Sequence, residues 1–213
     1  MRLRISIIIL ILLSFSNIGA FSSDKRRIDC FDDLEYVCIN NSKFVENGIK
    51  IQYKTKNDKQ NEIYRINKYF SNSNVYNCEQ LTENKMKLYD KDIKIEIEFW
   101  ADSKYSYVTM TFMNINDVYR TEDLLGMFKE LINKECEDIQ YYRYYKGKVT
   151  SNSEEEYINN MFSYISKSQI LELSNGYTGS GYCTNGEKIN FTISSYDTGA
   201  YMIIGTPIIF TTY

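Results

Sequence analysis

Few residues in this chain could do covalent chemistry, and one type is missing altogether. None of its 213 residues is histidine, which removes Ser-His-Asp and Cys-His catalysis, HExxH zinc sites and imidazole pH switching. Five cysteines remain: Cys30, Cys38, Cys78, Cys136 and Cys183. Their spacings of 7, 39, 57 and 46 intervening residues contain no CxxC pair and resemble no zinc framework. On a shared helix, Cys30 and Cys38 would stand about 12 Å apart, too far to bridge. The reading is therefore of buried structural thiols rather than a disulfide-stapled scaffold, and the odd count leaves at least one thiol free. A nucleophilic Cys183 would have no histidine to activate it.

The carboxylates are plentiful but not arranged for catalysis. Glu154-Glu155-Glu156 follows Ser153, a capping-box spacing, so these acids belong to the first turn of a helix and favour its dipole. Asp32-Asp33 and Glu135, Glu137 and Asp138 read as solvated charge. No fixed carboxylate pair emerges, so no glycosidase centre is assigned. The glycine-rich run from Gly176 through Gly179 to Gly181 precedes a strand rather than a helix, so it reads as a hairpin loop and not as a phosphate cradle. No metal or cofactor is expected.

Two other features could serve binding. Tyr141-Tyr142-Arg143-Tyr144-Tyr145 is the densest aromatic cluster among 20 tyrosines, and tyrosine pairs an apolar ring with a polar tip. Strand alternation splits it, with Tyr141, Arg143 and Tyr145 on one face and Tyr142 and Tyr144 on the other. The lone proline, Pro207, lies in Gly205-Thr206-Pro207, where about ten prolines would be average for the chain. It suggests a bend that re-aims the last strand.

The elements that must position these residues follow from periodicity. Helical spacing runs through residues 28–38 (Phe31, Leu34, Cys38), 58–70 (Ile63, Ile66, Phe70, with Asp58 to cap), 121–136 (Leu124, Leu125, Phe128, Leu131, Ile132, with Thr121 to cap) and from Ser153 (Tyr157, Ile158, Met161, Phe162, Ile165). Alternation marks strands at 93–99 and 105–113, and at 188–196 and 201–212 around an Asp197-Thr198-Gly199 turn.

The two halves share an element order. Ile51-Gln52-Tyr53 precedes one helix and Ile139-Gln140-Tyr141 another, 88 residues on, while Lys94-Ile95 and Lys188-Ile189 open hairpins 94 residues apart. Each half reads α-β-α-β-β-β, over residues 23–116 and 117–213. The expected fold is α+β: the duplicated units join in one antiparallel sheet with helices on one face and the other face open. Ile51, Tyr53, Ile139 and Tyr141 then point to the helices. Gln52, Lys54, Gln140, Tyr142 and Tyr144 point outwards, beside Lys94, Glu96, Asn190 and Thr192. Gln52, Gln140, Tyr142 and Tyr144 are the candidate contact residues.

Compartment is written at the start of the chain. Arg2 and Arg4 precede an eleven-residue apolar run at 5–15, too short at about 1.5 Å per residue for a ~30 Å hydrocarbon core. With Ala20-Phe21-Ser22 as a cleavage pattern, residues 1–22 read as a signal peptide of an exported protein, extracellular or held at the cell wall or membrane. An uncleaved anchor is the alternative. Cleavage turns the net charge of −3 into −5, because both lost charges are arginines. No stable membrane span is expected after it.

The C-terminal motifs Lys188-Ile189-Asn190-Phe191, Ser195-Tyr196 and Ile204-Gly205-Thr206-Pro207-Ile208-Ile209, with terminal Tyr213, resemble the ending of the YwmB-like family. These are exported TATA-box-binding-protein-like proteins of low-GC Gram-positive bacteria. The resemblance implies a duplicated, saddle-like fold and no established activity or catalytic residues. Nucleic acid is not the expected partner, since the acidic balance and Glu96 and Glu98 on the open face leave few cations for phosphates. The expectation is a non-catalytic binding protein whose open face holds a cell-envelope protein, a peptide or a glycan. An envelope-polymer hydrolase working with carboxylates is the alternative, and DNA binding the weakest one.

Overall fold

A computed structural model of the chain describes residues 30–73, 76–150 and 163–211. The expected signal segment and most of the helix from Ser153, with its capping box and Glu154-Glu155-Glu156, lie outside the described residues.

Helix α1 (Cys30–Asn41) places Asp32 and Asp33 in its first turn, where carboxylates favour the dipole. Its last turn is closed by side chains: Asn41 Nδ2 donates to the Val37 carbonyl (2.8 Å) and Ser42 Oγ to that of Cys38 (2.7 Å). Helix α2 (Lys59–Ser73) starts where expected, and Asp58 accepts the Gln60 N–H at 2.6 Å. Helix α3 (Thr121–Lys129) is shorter than its apolar stripe. Leu131 and Ile132 reach the core from the turn that follows, not from the helix. Thr121 is the first helical residue rather than the cap, and Asp123 reaches back to the Arg120 N–H (2.9 Å).

The strands are β1 (Ser42–Thr55), β2 (Asn77–Thr82), β3 (Lys85–Tyr89), β4 (Ile93–Ala101), β5 (Ser106–Asn114), β6 (Cys136–Val149), β7 (Ser166–Leu173), β8 (Gly176–Tyr182), β9 (Lys188–Tyr196) and β10 (Gly199–Thr206). They form one antiparallel sheet in the order β2-β3-β4-β5-β1-β6-β10-β9-β8-β7. The order is mirrored about the long β1–β6 pair, with five strands on each side where four were expected. The ladders mirror as well. Ile51–Met110–Ile97 on one side matches Tyr145–Ile204–Phe191 on the other, 94 residues on in every case (51 to 145, 110 to 204, 97 to 191). The 88-residue match of Ile51 with Ile139 is thereby replaced. Gln52 and Gln140 are instead direct cross-strand partners.

Three details depart from the expected pattern. The glycine-rich run is strand β8, not a loop, because Gly179 and Gly181 clear the helix-side face for large neighbours. A Cβ on Gly179 would stand 2.5 Å from the Phe191 ring, and one on Gly181 2.2 Å from Ile165. The last strand stops at Thr206 instead of running to 212, since Pro207 has no N–H for the ladder. Finally, Cys30 and Cys183 form a disulfide with Cα atoms 6.2 Å apart, tying the start of α1 to the β8–β9 connection. Spacing along the chain could not reveal this pair, 153 residues apart, so the all-thiol reading is corrected. Cys38, Cys78 and Cys136 form no disulfide among the described residues.

Two cores fill the helix side. One joins Ile49, Ile51, Ile95, Ile97, Met110 and Phe112 to Ile66 and Phe70 of α2 and Leu124 and Phe128 of α3. The other joins Phe31, Leu34 and Cys38 of α1 to Tyr145, Phe191, Ile193, Met202 and Ile204.

Candidate functional site

Buried charge is the first place to look for chemistry, and on the helix side it has structural partners. Glu35, 2% exposed, lies on the apolar face of α1. It accepts from Thr121 Oγ1 (2.6 Å) and Asn47 Nδ2 (3.0 Å), with the Arg143 guanidinium 3.9 Å away. Burial pushes its pKa above the usual carboxylate range, and these partners only partly offset that. Arg143 also binds Thr121 and pairs with Asp32, so Asp32 is not merely solvated charge. The group joins α1, α3, β1 and β6.

Glu62 makes a second such group under β1. It accepts from Tyr53 Oη (2.7 Å), Arg65 Nη2 (2.6 Å) and Asn57 Nδ2 (3.2 Å). Burial raises its pKa, but the bonds from Arg65, Tyr53 and Asn57 win and hold it below the usual range. Both acids were invisible to hydrophobic patterning because each occupies a core-facing helical position. The signal available was the charge itself at that position.

Neither of two clefts on the described surface pairs carboxylates. One, of about 280 Å³, is lined by Ile39, Phe44, Asn47, Asp117, Val118, Tyr119 and Arg120. The other, of about 450 Å³ between α2 and α3, has Glu130 as its only acid. Two carboxylates facing across a water or a sugar, as glycoside hydrolysis requires, are not found in either.

The sheet face away from the helices carries the expected contact residues. The ladder sets Gln52 beside Gln140 on one side and Thr109 on the other. Tyr142 Oη is shared between Gln140 Oε1 (2.7 Å) and Gln52 Oε1 (3.2 Å), and Gln52 Nε2 donates to Thr109 Oγ1 (3.3 Å). Gln52, Gln140 and Tyr142 are thus brought into one polar row, though Tyr142 is only 6% exposed. Lys50, half-buried between Thr111 and Tyr142, holds its ammonium 5.8 Å from the Tyr142 ring centre. Desolvation lowers its pKa, against the pull of Glu98.

Tyr144 is on the same face but is closed off. The chain after Pro207 folds back over it: Phe210 meets its ring edge-on at 5.5 Å, Asn190 binds the Pro207 carbonyl, and Ile209 presses on Gly205. Tyr144 has no exposed surface, its hydroxyl binds Glu46, and burial drives its pKa far up. Thr192, expected on the open face, is also buried. Alternation assigns a face but cannot foresee a strap across it.

Sequence reasoning missed the aromatic end of this face. Trp100 and Tyr107 are cross-strand partners, stacked at 3.7 Å with planes 4° apart, and Tyr105 adjoins Tyr107 with the Lys54 ammonium 4.7 Å from its ring centre. The signal was present in the pairing of the single tryptophan with a tyrosine across a predicted hairpin. Compared with models of known protein families and with curated proteins, the chain matches none.

Proposed function

We propose that the chain is an exported, non-catalytic binding protein of the cell envelope that holds a protein, peptide or glycan on the open face of its sheet. The observation that carries this reading is that face itself: amide, hydroxyl and lysine groups of β1, β4, β5 and β6 stand on a sheet side that no helix covers among the described residues. The Cys30–Cys183 disulfide supports the export component, since such bonds persist in oxidising compartments. The constant 94-residue offset between the mirrored ladders supports a duplicated unit and a saddle-like sheet of the kind the YwmB-like resemblance implies. Glu96 and Glu98 share Lys85 (3.0 and 2.9 Å), which ties them to structural pairing rather than acid/base work.

A photo-crosslinking residue at Thr111, on the open face, and one at Tyr64, 68% exposed elsewhere, test the reading in the producing cell. Capture of an extracytoplasmic component from position 111 and not from 64 is the expected outcome. Equal capture from both sites, capture from 64 alone, or recovery only from the cytoplasm overturns it.

A further inference from the structure

The open face is more basic than the chain that carries it. The whole sequence has 28 acidic residues against 25 basic ones. Yet the acids on this face largely have lysine partners: Glu96 and Glu98 with Lys85, Asp138 with Lys54 (2.5 Å), and Glu46 with Lys146 (3.9 Å). Lys50 and Lys94 are different. The ladder puts both on this side, opposite Thr111 and Met113, and neither makes an ion pair among the described residues. Lys50 is the more telling, because its ammonium is half-withdrawn from water with no carboxylate of the described residues in ion-pair contact, Glu98 acting on it only from a distance.

At the other end of the face stands a flat apolar surface. Trp100 is 44% exposed although Tyr107 covers one side of its indole. Strand β3 ends its pairing at Lys85, opposite Glu98, so no strand lies beside Trp100 on the outer side. By strand spacing and rise, Trp100 lies about 17 Å from Lys50 across the face. Between them runs the row Gln140–Gln52–Thr109, in which the Gln140 amide nitrogen has no hydrogen-bond partner among the described residues. Cation, paired amides and exposed indole lie in this order along one side of the sheet, with Glu98 next to Thr109 in the amide row.

Building on the open-face reading above, we infer that this face takes a carboxylate-bearing polysaccharide, with Lys50 and Lys94 pairing its carboxylates, Gln52 and Gln140 its hydroxyls, and Trp100 stacking on a sugar ring. Each group matches one feature of that polymer. Pyranose rings present an apolar C–H face to an indole, their vicinal hydroxyls suit amides, and their carboxylates recur at intervals. Duplex DNA is a poorer fit, because it offers Gln52 and Gln140 no vicinal hydroxyls and keeps its rings stacked inside the helix, away from Trp100. Poly-glutamate would use the lysines but has no ring to lay on Trp100.

Affinity electrophoresis and calorimetry with polygalacturonate, its methyl-esterified form, poly-glutamate and duplex DNA decide the matter. Polygalacturonate is expected to bind, and the methyl ester about tenfold or more weakly. Trp100→Ala, Lys50→Gln and Lys94→Gln should each weaken binding about tenfold with unchanged thermal unfolding, while Tyr64→Ala changes nothing. Lys94 and Trp100 are exposed, so their variants keep the test free of folding effects. No binding of polygalacturonate, equal binding of its methyl ester, tighter binding of poly-glutamate or DNA, or indifference to Trp100→Ala overturns the inference. Should polygalacturonate fail while position 111 still crosslinks an envelope component, the ligand class is wrong and the face is right. If neither binds, both fall.

Discussion

Two buried carboxylates sit under one sheet, and their surroundings drive them in opposite directions. Glu35 is raised by burial and Glu62 is lowered by its bonds to Arg65, Tyr53 and Asn57. A carboxyl held below its unfolded value contributes stability that is fully present above the unfolded pKa and is lost as pH falls through the folded one. Glu62→Gln should therefore cost about 2–3 kcal/mol at pH 7, because Arg65 and Tyr53 lose a charged acceptor. In urea titrations the gap between wild type and variant should narrow as pH falls below the ordinary glutamate value of about 4.3, where the unfolded carboxyl takes up its proton first, and close as pH falls through the lower folded value. A gap that persists unchanged to pH 3 would contradict the assignment. Glu35 has the opposite sign: its raised pKa makes its contribution less favourable as pH rises above the unfolded value.

Legibility at this scale was limited by partners that are distant in sequence. Tyr142 and Tyr144 were assigned the correct side of the sheet, since alternation is local. Their burial depends on Gln52, 90 residues from Tyr142, and on Phe210, neither of which a strand pattern contains. Glu62 takes a place in the buried stripe of α2 with Ile66 and Phe70. No apolar periodicity would put a carboxylate there.

Elements were easier to read than residues where local rules dominate. Strands β4, β5 and β9 and the Asp197-Thr198 turn follow alternation and turn chemistry almost to the residue. Strand β2 is exposed at every position, so no buried face printed a pattern on it. The glycines of β8 were misread because loops and tight packing call for the same residue. The disulfide is also an element-scale device, since it fastens the first helix to the far side of the sheet. A crosslink closing a loop of this length removes much of the unfolded chain's freedom, so Cys183→Ser should cost about 4 kcal/mol in urea unfolding. Reducing the wild type with dithiothreitol should give the same loss, whereas Cys78→Ser, at an exposed edge position, should stay within about 0.5 kcal/mol. A wild type indifferent to reductant would speak against the bond.

On the scale of the whole molecule, the mirrored halves are not independent, because they exchange helices. Helix α1 precedes β1 in the chain but packs its Phe31, Leu34 and Cys38 on strands β6, β9 and β10. Helix α3 precedes β6 but closes the core of β1, β4 and β5 with Leu124 and Phe128, helped by Leu131. Each half thus supplies the lid of the other's core, and the long β1–β6 pair joins them at the middle. A sequence comparison of halves finds matching element order yet cannot see this exchange, because order along the chain says nothing about which core a helix covers. The residues 23–116 taken alone would lack three large side chains over their sheet. At about 1.5–3 kcal/mol per buried side chain, that loss is about 4–9 kcal/mol, comparable with the whole stability of a typical domain. The fragment would also expose Phe31 and Leu34, and the free edge of β1. It should therefore show no cooperative thermal transition and no dispersed NMR spectrum when expressed alone. Mixing it with residues 117–213 should restore both, since the two pieces together carry both cores. A fragment 23–116 that folds cooperatively by itself would mean that α3 is dispensable to the first core, and the exchange of helices would then not be what holds the halves together.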